Sequence, residues 1–296
     1  MAQNKISRRS FLRGAGASAT IAAASCMAPS AAACDIKSLW SMDLQILATS
    51  DTHGKFDPWD YAANKADASG SVAQQATAIK ENRTKTTLVV DAGDTIQANS
   101  AELFLNDDVH PMIAAQNAIG YDVYVTGNHE SRIPQAFAQL EERMAAAGAQ
   151  ILRNQSLYWE REGQRVQLIG LDDPSFLVQE SQLEDHLHSL QNEDCYQILL
   201  SHRPELFDVY AAAGVDLSLT GHAHGGQFRI PGGVFAPAQG FFPRYDAGLY
   251  LQGQSAMVVS RGIGQSVIPV RLSNRPEIVL VELCREADSA QKVHEY

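Results

Sequence analysis

Short apolar runs alternate with amphipathic segments along most of the chain. The apolar runs are brief and rich in aliphatic residues, and they predict strands over residues 44–49, 87–90, 121–125, 166–171, 197–200, 217–219, 257–259 and 278–281. Apolar residues at helical spacing predict helices over residues 71–82, 110–119, 134–147 and 204–213. Strands that alternate with helices in this way indicate an α/β fold.

Side chains that bind metal ions follow the carboxyl ends of most of these predicted strands. Five short blocks occur in order: Asp51-Thr52-His53, Gly93-Asp94, Gly127-Asn128-His129-Glu130, Ser201-His202 and Gly221-His222-Ala223-His224. Carboxylate oxygen, amide oxygen and imidazole nitrogen are ligands that hard or borderline divalent cations accept. No single block is specific, because each recurs by chance in unrelated chains. The complete ordered set, on loops at strand ends, predicts a two-metal site.

The ordered set resembles the calcineurin-like metallophosphoesterase superfamily, from about Leu44 to Leu283. The resemblance implies two packed β-sheets flanked by helices, an α-β-β-α sandwich, with a catalytic domain over residues 41–284. Two departures from the patterns of known subfamilies narrow the choice of subfamily. Gln97 stands where purple acid phosphatases carry a ligand tyrosine, and residues 93–97 lack the Gly-Asp-x-x-Asp-Arg-Gly run of Ser/Thr protein phosphatases. Both of those subfamilies are therefore disfavoured.

The resemblance also implies a role for each side chain. Asp51, His53 and His224 would hold a first divalent ion, Asn128, His202 and His222 would hold a second, and Asp94 would bridge both. The set has no thiolate, so Mn²⁺, Zn²⁺ or Fe²⁺ fits it and the metal identity stays open. Two divalent ions outweigh two aspartates and a bridging hydroxide, so the site keeps a positive charge that suits a phosphate ester. Attack by the bridging hydroxide is the implied mechanism.

The remaining polar residues of these blocks have other expected roles. His129 resembles the family's non-ligand histidine, which contacts a non-bridging oxygen or protonates the leaving alkoxide. A purely supporting role for His129 stays open. Glu130 is expected to be structural, through hydrogen bonds to its loop and its charge at a helix N-terminus. His110, His186 and His188 lack this context and are expected on the surface or in helices.

The two parts of the sequence resemble enzymes with different substrates. Residues 44–124 resemble exported 5′-nucleotidases and 2′,3′-cyclic-nucleotide phosphodiesterases, in runs such as 48–54 and 94–97. From about Val125 the chain resembles compact twin-arginine-exported phosphoesterases related to UDP-diacylglucosamine hydrolases, in runs such as 200–204 and 221–227. Nucleotidases resembling the front part carry a second domain that grips the base, and few residues follow His224 to form one. We therefore expect a small phosphomonoester or phosphodiester as the substrate.

Three alternatives stay open. A nucleotide-specific 5′-nucleotidase or cyclic phosphodiesterase is one, and a hydrolase of pyrophosphate-linked lipids is another. A non-catalytic metal-binding envelope protein is the third, although no ligand is missing. Substrate-binding residues are not identified, but the aromatic-rich residues 225–250 are the best candidates. Packing of those aromatics into a satellite core is the slightly favoured alternative.

Residues 1–33 are predicted to be an export signal. The run Ser7-Arg8-Arg9-Ser10-Phe11-Leu12-Arg13 resembles the twin-arginine consensus, and an Ala-rich stretch and a small-x-small site follow. We expect the twin-arginine translocase as a partner and a location in the periplasm, the cell envelope or outside the cell. Lipid anchoring at Cys34 is disfavoured, because Ala31 rather than leucine stands three residues before it. Residues 285–296 are expected to form a C-terminal tail.

Charge and composition exclude some classes of function. The chain has 296 residues and a formal net charge of −11 at pH 7, which disfavours sequence-independent nucleic-acid binding. No apolar run outside the signal is long enough to span a bilayer, but peripheral association with a membrane or envelope stays open. Cys195 and Cys284 lack Cys-x-x-Cys spacing, so buried free thiols are expected before a disulfide. Oligomeric state is left open.

Overall fold

In the computed structural model, the described part of the chain is built mainly from a five-stranded and a six-stranded β-sheet with helices on their outer faces, together with two two-stranded sheets. That part comprises residues 2–7, 43–60, 64–96, 103–104, 110–146, 148, 150–176, 182–192, 194–229, 232–265 and 271–283. The described residues do not include Cys34, Gln97 or Cys284. They also leave out the predicted C-terminal tail and the predicted export signal apart from residues 2–7. No described helix has both the length and the hydropathy that a membrane span needs.

The strands follow in chain order: β1 (Ala2–Ser7), β2 (Leu44–Thr49), β3 (Trp59–Asp60), β4 (Lys65–Ala66), β5 (Thr87–Asp91), β6 (Val123–Tyr124), β7 (Gln155–Arg161), β8 (Gln164–Gly170), β9 (Gln197–Leu200), β10 (Leu217–Thr220), β11 (Phe235–Ala236), β12 (Gly240–Phe241), β13 (Gly248–Gln252), β14 (Ser255–Val259) and β15 (Glu277–Leu283). The α-helices are α1 (Val72–Asn82), α2 (Pro111–Ile119), α3 (Pro134–Ala146), α4 (Leu183–Leu190) and α5 (Phe207–Ala212). Short 3₁₀ turns cover Glu130–Arg132, Pro174–Phe176, Pro204–Leu206 and His224–Gly226.

Parallel pairing aligns the ends of the strands that precede the metal-binding blocks. The first sheet has the order β1-β15-β2-β5-β6, in which β2, β5 and β6 are parallel neighbours. The second has the order β13-β14-β10-β9-β8-β7, in which β8, β9, β10 and β14 are parallel. The carboxyl ends of parallel strands meet at one edge of a sheet, so the loops after them converge.

Apolar side chains fill three layers. Between the sheets, Ile46 and Val90 share a buried cluster with Leu168, Ile198 and Leu219. On the outer face of the first sheet, Leu47, Val89 and Leu280 pack with buried residues of α1, α2 and α3. On the outer face of the second, Ile169, Leu199 and Val259 pack with residues of α4 and α5. The expected two-sheet sandwich flanked by helices is confirmed.

The structure departs from the sequence predictions where a segment is half exposed. β7 and β13 were not predicted, because their exposed positions carry polar residues and weaken the apolar signal. The apolar pattern does not predict helix α4 either, because Leu183 and Leu187 are the two buried residues among its eight, which leaves a weak signal. His186 and His188 lie in this helix. His110 lies at the start of a helix, which is one of its two expected locations: it is 1% exposed and caps α2, where its Nδ1 atom accepts a hydrogen bond from the Met112 N–H. Cys195 is a buried thiol as expected.

Candidate metal centre

The predicted ligands lie together at the edge where the two sheets end. Asp51 and His53 follow β2, Asp94 follows β5, His202 follows β9, and His222 follows β10. The same edge receives Asn128 and His129 after β6 and His224 after β10. Each of these residues is between 0% and 7% exposed. The structure therefore brings the two aspartates and the five histidines of the sequence-predicted set into one buried cluster, and it buries Asn128 on the same loop as His129.

Five of these residues have a left-handed backbone. The φ angles are 49° for Asp51, 46° for His53, 57° for Asp94, 65° for His222 and 48° for His224. Residues with a Cβ rarely adopt this conformation, and such outliers cluster at functional sites. Glycine would relieve the strain but would remove the side chain. Aspartate and histidine at these positions therefore indicate that the side chains themselves are needed.

The first group of ligand atoms comprises Asp51, His53 and His224. The Nε2 atoms of His53 and His224 lie 3.3 Å apart. The Oδ1 atom of Asp51 is 3.4 Å from His224 Nε2 and 3.8 Å from His53 Nε2. Two imidazole nitrogens and a carboxylate oxygen that face one point can hold a divalent cation.

The second group comprises Asp94, His202 and His222. The Oδ2 atom of Asp94 lies 3.0 Å from His202 Nε2 and 3.8 Å from His53 Nε2. One carboxylate oxygen thus faces ligands from both groups, which is the position that a bridging ligand requires. His202 Nδ1 lies 2.8 Å from the carbonyl oxygen of Ala92, and this contact orients the ring so that Nε2 faces the cluster.

Unsatisfied polar atoms test whether metal ions fit the cluster. Among the described residues, Asn128 Oδ1 is buried without a hydrogen-bond partner, and Asp94 Oδ2 and His202 Nε2 face each other at 3.0 Å. Buried polar atoms are normally paired, because an unpaired one costs about 1–3 kcal/mol. Asn128 Oδ1 and Asp94 Oδ2 carry lone pairs that a cation accepts, and His202 Nε2 offers one when its proton leaves. The donor set therefore fits divalent metal ions, and Asp51, His53, Asp94, Asn128, His202, His222 and His224 are the residues that would hold them.

Burial and neighbouring charges set the protonation states of the predicted ligands. Burial lowers the pKa of His222 well below its usual range and the pKa of His224 to about 3, so both rings are neutral and keep a lone pair. Burial opposes ionisation of Asp94, yet the charge of His202 holds the pKa of Asp94 well below its usual range. Against the same effect of burial, the Asp94 carboxylate raises the pKa of His202 to about 10. A proton shared by these two side chains occupies the place where a cation would contact both.

Glu130 joins two of the metal-binding loops. Its Oε1 atom accepts hydrogen bonds from the N–H groups of Thr95 (3.0 Å) and Ile96 (3.3 Å), and its Oε2 atom from those of Asp94 (3.1 Å) and Gly127 (2.8 Å). Burial raises the pKa of Glu130 to about 7, and the four N–H donors favour the ionised form against that rise. The expectation that Glu130 bonds to its loop is confirmed, and the structure extends its contacts to the loop after β5.

His129 lies beside the Asp94 carboxylate. Its backbone N–H donates to Asp94 Oδ1 at 2.9 Å, and its ring Nε2 is 3.9 Å from Asp94 Oδ2. The ring meets that of His53 edge-on with 4.7 Å between centroids. Burial lowers the pKa of His129 to about 4. The side chain is therefore within reach of anything held between the two ligand groups.

Sequence reasoning missed two arginines that contact ligand histidines. Arg203 Nη1 lies 3.0 Å from His222 Nε2, and Arg271 Nη2 lies 3.5 Å from His224 Nδ1. Arg203 also forms a buried ion pair with Asp173. A signal for this pair was present, because Asp173 follows β8 just as the ligands follow their strands, and Arg203 is adjacent to His202.

The calcineurin-like phosphoesterase family profile matches residues 44–226, which include all five blocks. The chain is 31% identical over 211 residues to YkuE of Bacillus subtilis (strain 168), described as an uncharacterized metallophosphoesterase, and this match covers 68% of the chain and 69% of YkuE. It is 33% identical over 98 residues to a 2′,3′-cyclic-nucleotide 2′-phosphodiesterase/3′-nucleotidase of Salmonella typhimurium, covering 30% of the chain and 15% of that protein. The crystal structure of calcineurin-like phosphoesterase YfkN from Bacillus subtilis superposes with a TM-score of 0.54 at 21% identity over 81% of each chain, and it shares the fold.

Proposed function

This chain belongs to the calcineurin-like phosphoesterase family of metal-dependent phosphoric ester hydrolases, and from that premise we propose that it cleaves small phosphomonoesters or phosphodiesters at a dinuclear metal site. The observation that carries the proposal is the buried Asp94 Oδ2 atom, which faces His53 and His202 from the two ligand groups. A carboxylate oxygen in this position suits a bridge between two cations.

In this proposal each residue has a defined task. Two divalent ions supply Lewis-acid chemistry and a nucleophilic hydroxide when bound. Asp51, His53 and His224 hold the first ion, Asn128, His202 and His222 hold the second, and Asp94 holds both. His129 either donates a hydrogen bond to a non-bridging oxygen or gives a proton to the leaving alkoxide. Glu130 fixes the loops that carry Asp94 and Asn128, and burial of the whole cluster keeps bulk water away from it.

A second candidate is hydrolysis of a lipid-linked phosphoester. Phe241 and Phe242 are 74% and 80% exposed, on the β11–β12 hairpin. Val234 ties this hairpin to the ligand loop: its N–H donates to Gly226 O at 3.1 Å, and its carbonyl accepts from the Phe242 N–H at 2.8 Å. Tyr245, in contrast, is buried against Phe207 and Tyr250, as the satellite-core alternative expected. Two exposed aromatic rings on a hairpin tied to the loop of His224 suit an acyl chain or a membrane surface.

A substrate panel tests both candidates. The metal-free chain is reconstituted with Mn²⁺ and given an aryl monoester, an aryl diester, nucleotides and a pyrophosphate-linked lipid in mixed micelles. We expect aryl ester hydrolysis that a chelator abolishes and Mn²⁺ restores. A fully metal-loaded chain that cleaves none of these substrates would instead support a non-catalytic metal-binding protein. Phe242→Ser lowers the rate on micelles and leaves the aryl esters unaffected if the lipid candidate is correct.

We also propose that the chain is exported by the twin-arginine route, with residues 1–33 removed. The support is the Arg8-Arg9 pair in its consensus-like context. β1 lies at the edge of its sheet, where β15 is its pairing partner, so its removal would take no strand from between two others. Replacing Arg8 and Arg9 together with lysine should leave the full-length precursor in the cytoplasm. Normal export of that variant would argue against the twin-arginine route.

A further inference from the structure

Arg203 lies at the edge of the second ligand group, directly after His202. Its side chain is 15% exposed. The Nε and Nη2 atoms donate to the carboxylate of Asp173, which is 0% exposed, and Nη2 also donates to Ser175 Oγ at 3.1 Å. Nη1 lies 3.0 Å from His222 Nε2 and 3.3 Å from Glu205 Oε1. One edge of the guanidinium is therefore anchored, and the other faces a predicted metal ligand.

Counting hydrogens shows that the contact between Arg203 and His222 cannot persist when that histidine binds a metal ion. A guanidinium nitrogen has hydrogens and no lone pair, so His222 Nε2 must accept from Nη1 and the ring hydrogen must lie on Nδ1. A neutral imidazole has one lone pair for a ligand bond. A metal ion at Nδ1 moves the hydrogen to Nε2, where it faces a second donor. A metal ion at Nε2 takes the lone pair that Nη1 uses.

In either arrangement, one N–H of Arg203 Nη1 still donates to Glu205. The other N–H no longer bonds to His222 and becomes available beside the second ligand group. Arg271, next to the other group, differs. Its Nη1 atom donates to the carbonyl of Arg261 at 2.7 Å, and its Nε and Nη2 atoms donate to that of Gly264 at 2.9 and 2.6 Å. Every nitrogen of Arg271 thus has a backbone acceptor, and its contact with His224 Nδ1, at 3.5 Å, is longer than the 3.0 Å contact of Arg203 with His222.

We propose that Arg203 is a phosphate-binding residue whose released N–H donates to a phosphoryl oxygen of the substrate. This assignment rests on the proposed function, because it presumes that a phosphate group occupies the metal centre. A planar guanidinium suits phosphate oxygens, and the N–H to oxygen bond is charge-assisted. Asp173 is the positioning residue, since its buried carboxylate fixes the direction in which Nη1 points.

The test measures binding, so it does not depend on turnover. Mn²⁺ is titrated calorimetrically into the metal-free full chain, and inorganic phosphate is then titrated into the Mn²⁺-loaded chain. The variant is Arg203→Lys, which keeps a positive charge for Asp173 but lacks the second arm. Arg153→Lys is the matched control. Arg153 also pairs with an aspartate through two nitrogens, at 2.9 Å from Asp172 Oδ1 and 3.0 Å from its Oδ2, but it stacks on Phe137 and Phe176.

We expect Arg203→Lys to weaken phosphate binding about tenfold or more while the Mn²⁺ affinity stays within about threefold of wild type. Arg153→Lys should change neither. Equal phosphate affinities in wild type and Arg203→Lys would overturn the assignment, as would a loss of Mn²⁺ affinity large enough to explain the weaker phosphate binding. If Arg203→Lys does not fold, Arg203→Gln combined with Asp173→Asn removes both charges of the buried Arg203–Asp173 pair and carries the same expectation.

The result also separates this inference from the proposed function. A wild-type chain that binds phosphate through Arg203 but hydrolyses no ester on the panel refutes the hydrolase and keeps the arginine assignment. Hydrolysis together with an unchanged phosphate affinity in Arg203→Lys refutes the arginine and keeps the hydrolase. Failure of the Mn²⁺-loaded wild type to bind phosphate overturns the arginine assignment, and the substrate panel alone then decides the hydrolase.

Discussion

Replacing Glu130 with glutamine should loosen two metal-binding loops at once. The Glu130 carboxylate accepts four backbone N–H groups, two on each oxygen, from the loops that carry Asp94 and Asn128. Glutamine keeps one acceptor oxygen and turns the other into an NH₂ donor. Two buried N–H groups therefore lose their acceptor and face another donor.

The size of the effect follows from this count. Each lost hydrogen bond is worth about 1 kcal/mol net, so Glu130→Gln should lower the free energy of unfolding by about 2 kcal/mol. For a domain of this size, that corresponds to a fall in Tm of about 4–8 °C. Glu130→Ala removes both acceptor oxygens and with them all four hydrogen bonds, so it should cost about 4 kcal/mol.

Thermal unfolding of chelator-treated protein is the assay, because it separates the loop hydrogen bonds from metal binding. Glu142→Gln is the control, since Glu142 is exposed on α3. Glu142→Gln should shift Tm by less than about 2 °C, in line with ordinary surface substitutions. Equal shifts for Glu130→Gln and Glu142→Gln would refute the reasoning, because they would mean that the four hydrogen bonds contribute nothing measurable.

Two further predictions concern residues around Asp94. If His129 protonates the leaving group, His129→Ala should slow alkyl ester hydrolysis by about 10²–10⁴-fold but spare nitrophenyl esters, whereas equal losses for both would indicate charge stabilisation or positioning. A Cβ atom at Gly127 would lie 2.1 Å from Asp94 Oδ1, so Gly127→Ala should displace the carboxylate and lower both metal content and activity, the latter by about 10²-fold. Gly163→Ala is the control, because the structure leaves open space around a Cβ atom there, although φ is +73°. It should lower stability by about 1 kcal/mol and leave the metal content unchanged. Normal metal content in Gly127→Ala would contradict the steric argument.

The sequence predicts the central strands and the clustering of the polar residues that follow them, for a shared physical reason. β2, β5, β9 and β10 are buried, so they appear as short runs rich in aliphatic residues, and a charged residue or histidine just past such a run stands out. Edge strands such as β7 and β13 expose part of their surface and lack that signal. The ligand positions could therefore be read along the chain, whereas the sheet edges required the structure.

The supporting residues of the site could not be predicted in the same way. An arginine in a loop is normally a solvated surface residue, and Arg203 acquires a role only because folding brings Asp173 and His222 to its two edges. The reach of Glu130 to Thr95 and Ile96 crosses more than thirty residues of sequence. The left-handed backbone at Asp51 and Asp94 also leaves no trace in a pattern of apolar and polar residues.

The central claim is that one chain holds two metal ions bridged by Asp94, and metal counting tests it most directly. Purified wild type, His224→Ala and Asp94→Ala chains are reconstituted with excess Mn²⁺, desalted, and analysed for bound metal by mass spectrometry. The account predicts two ions per wild-type chain, about one for His224→Ala, which loses a ligand of one site, and none for Asp94→Ala, which loses the bridge. Two bound ions in Asp94→Ala, or a single ion in wild type, would contradict it.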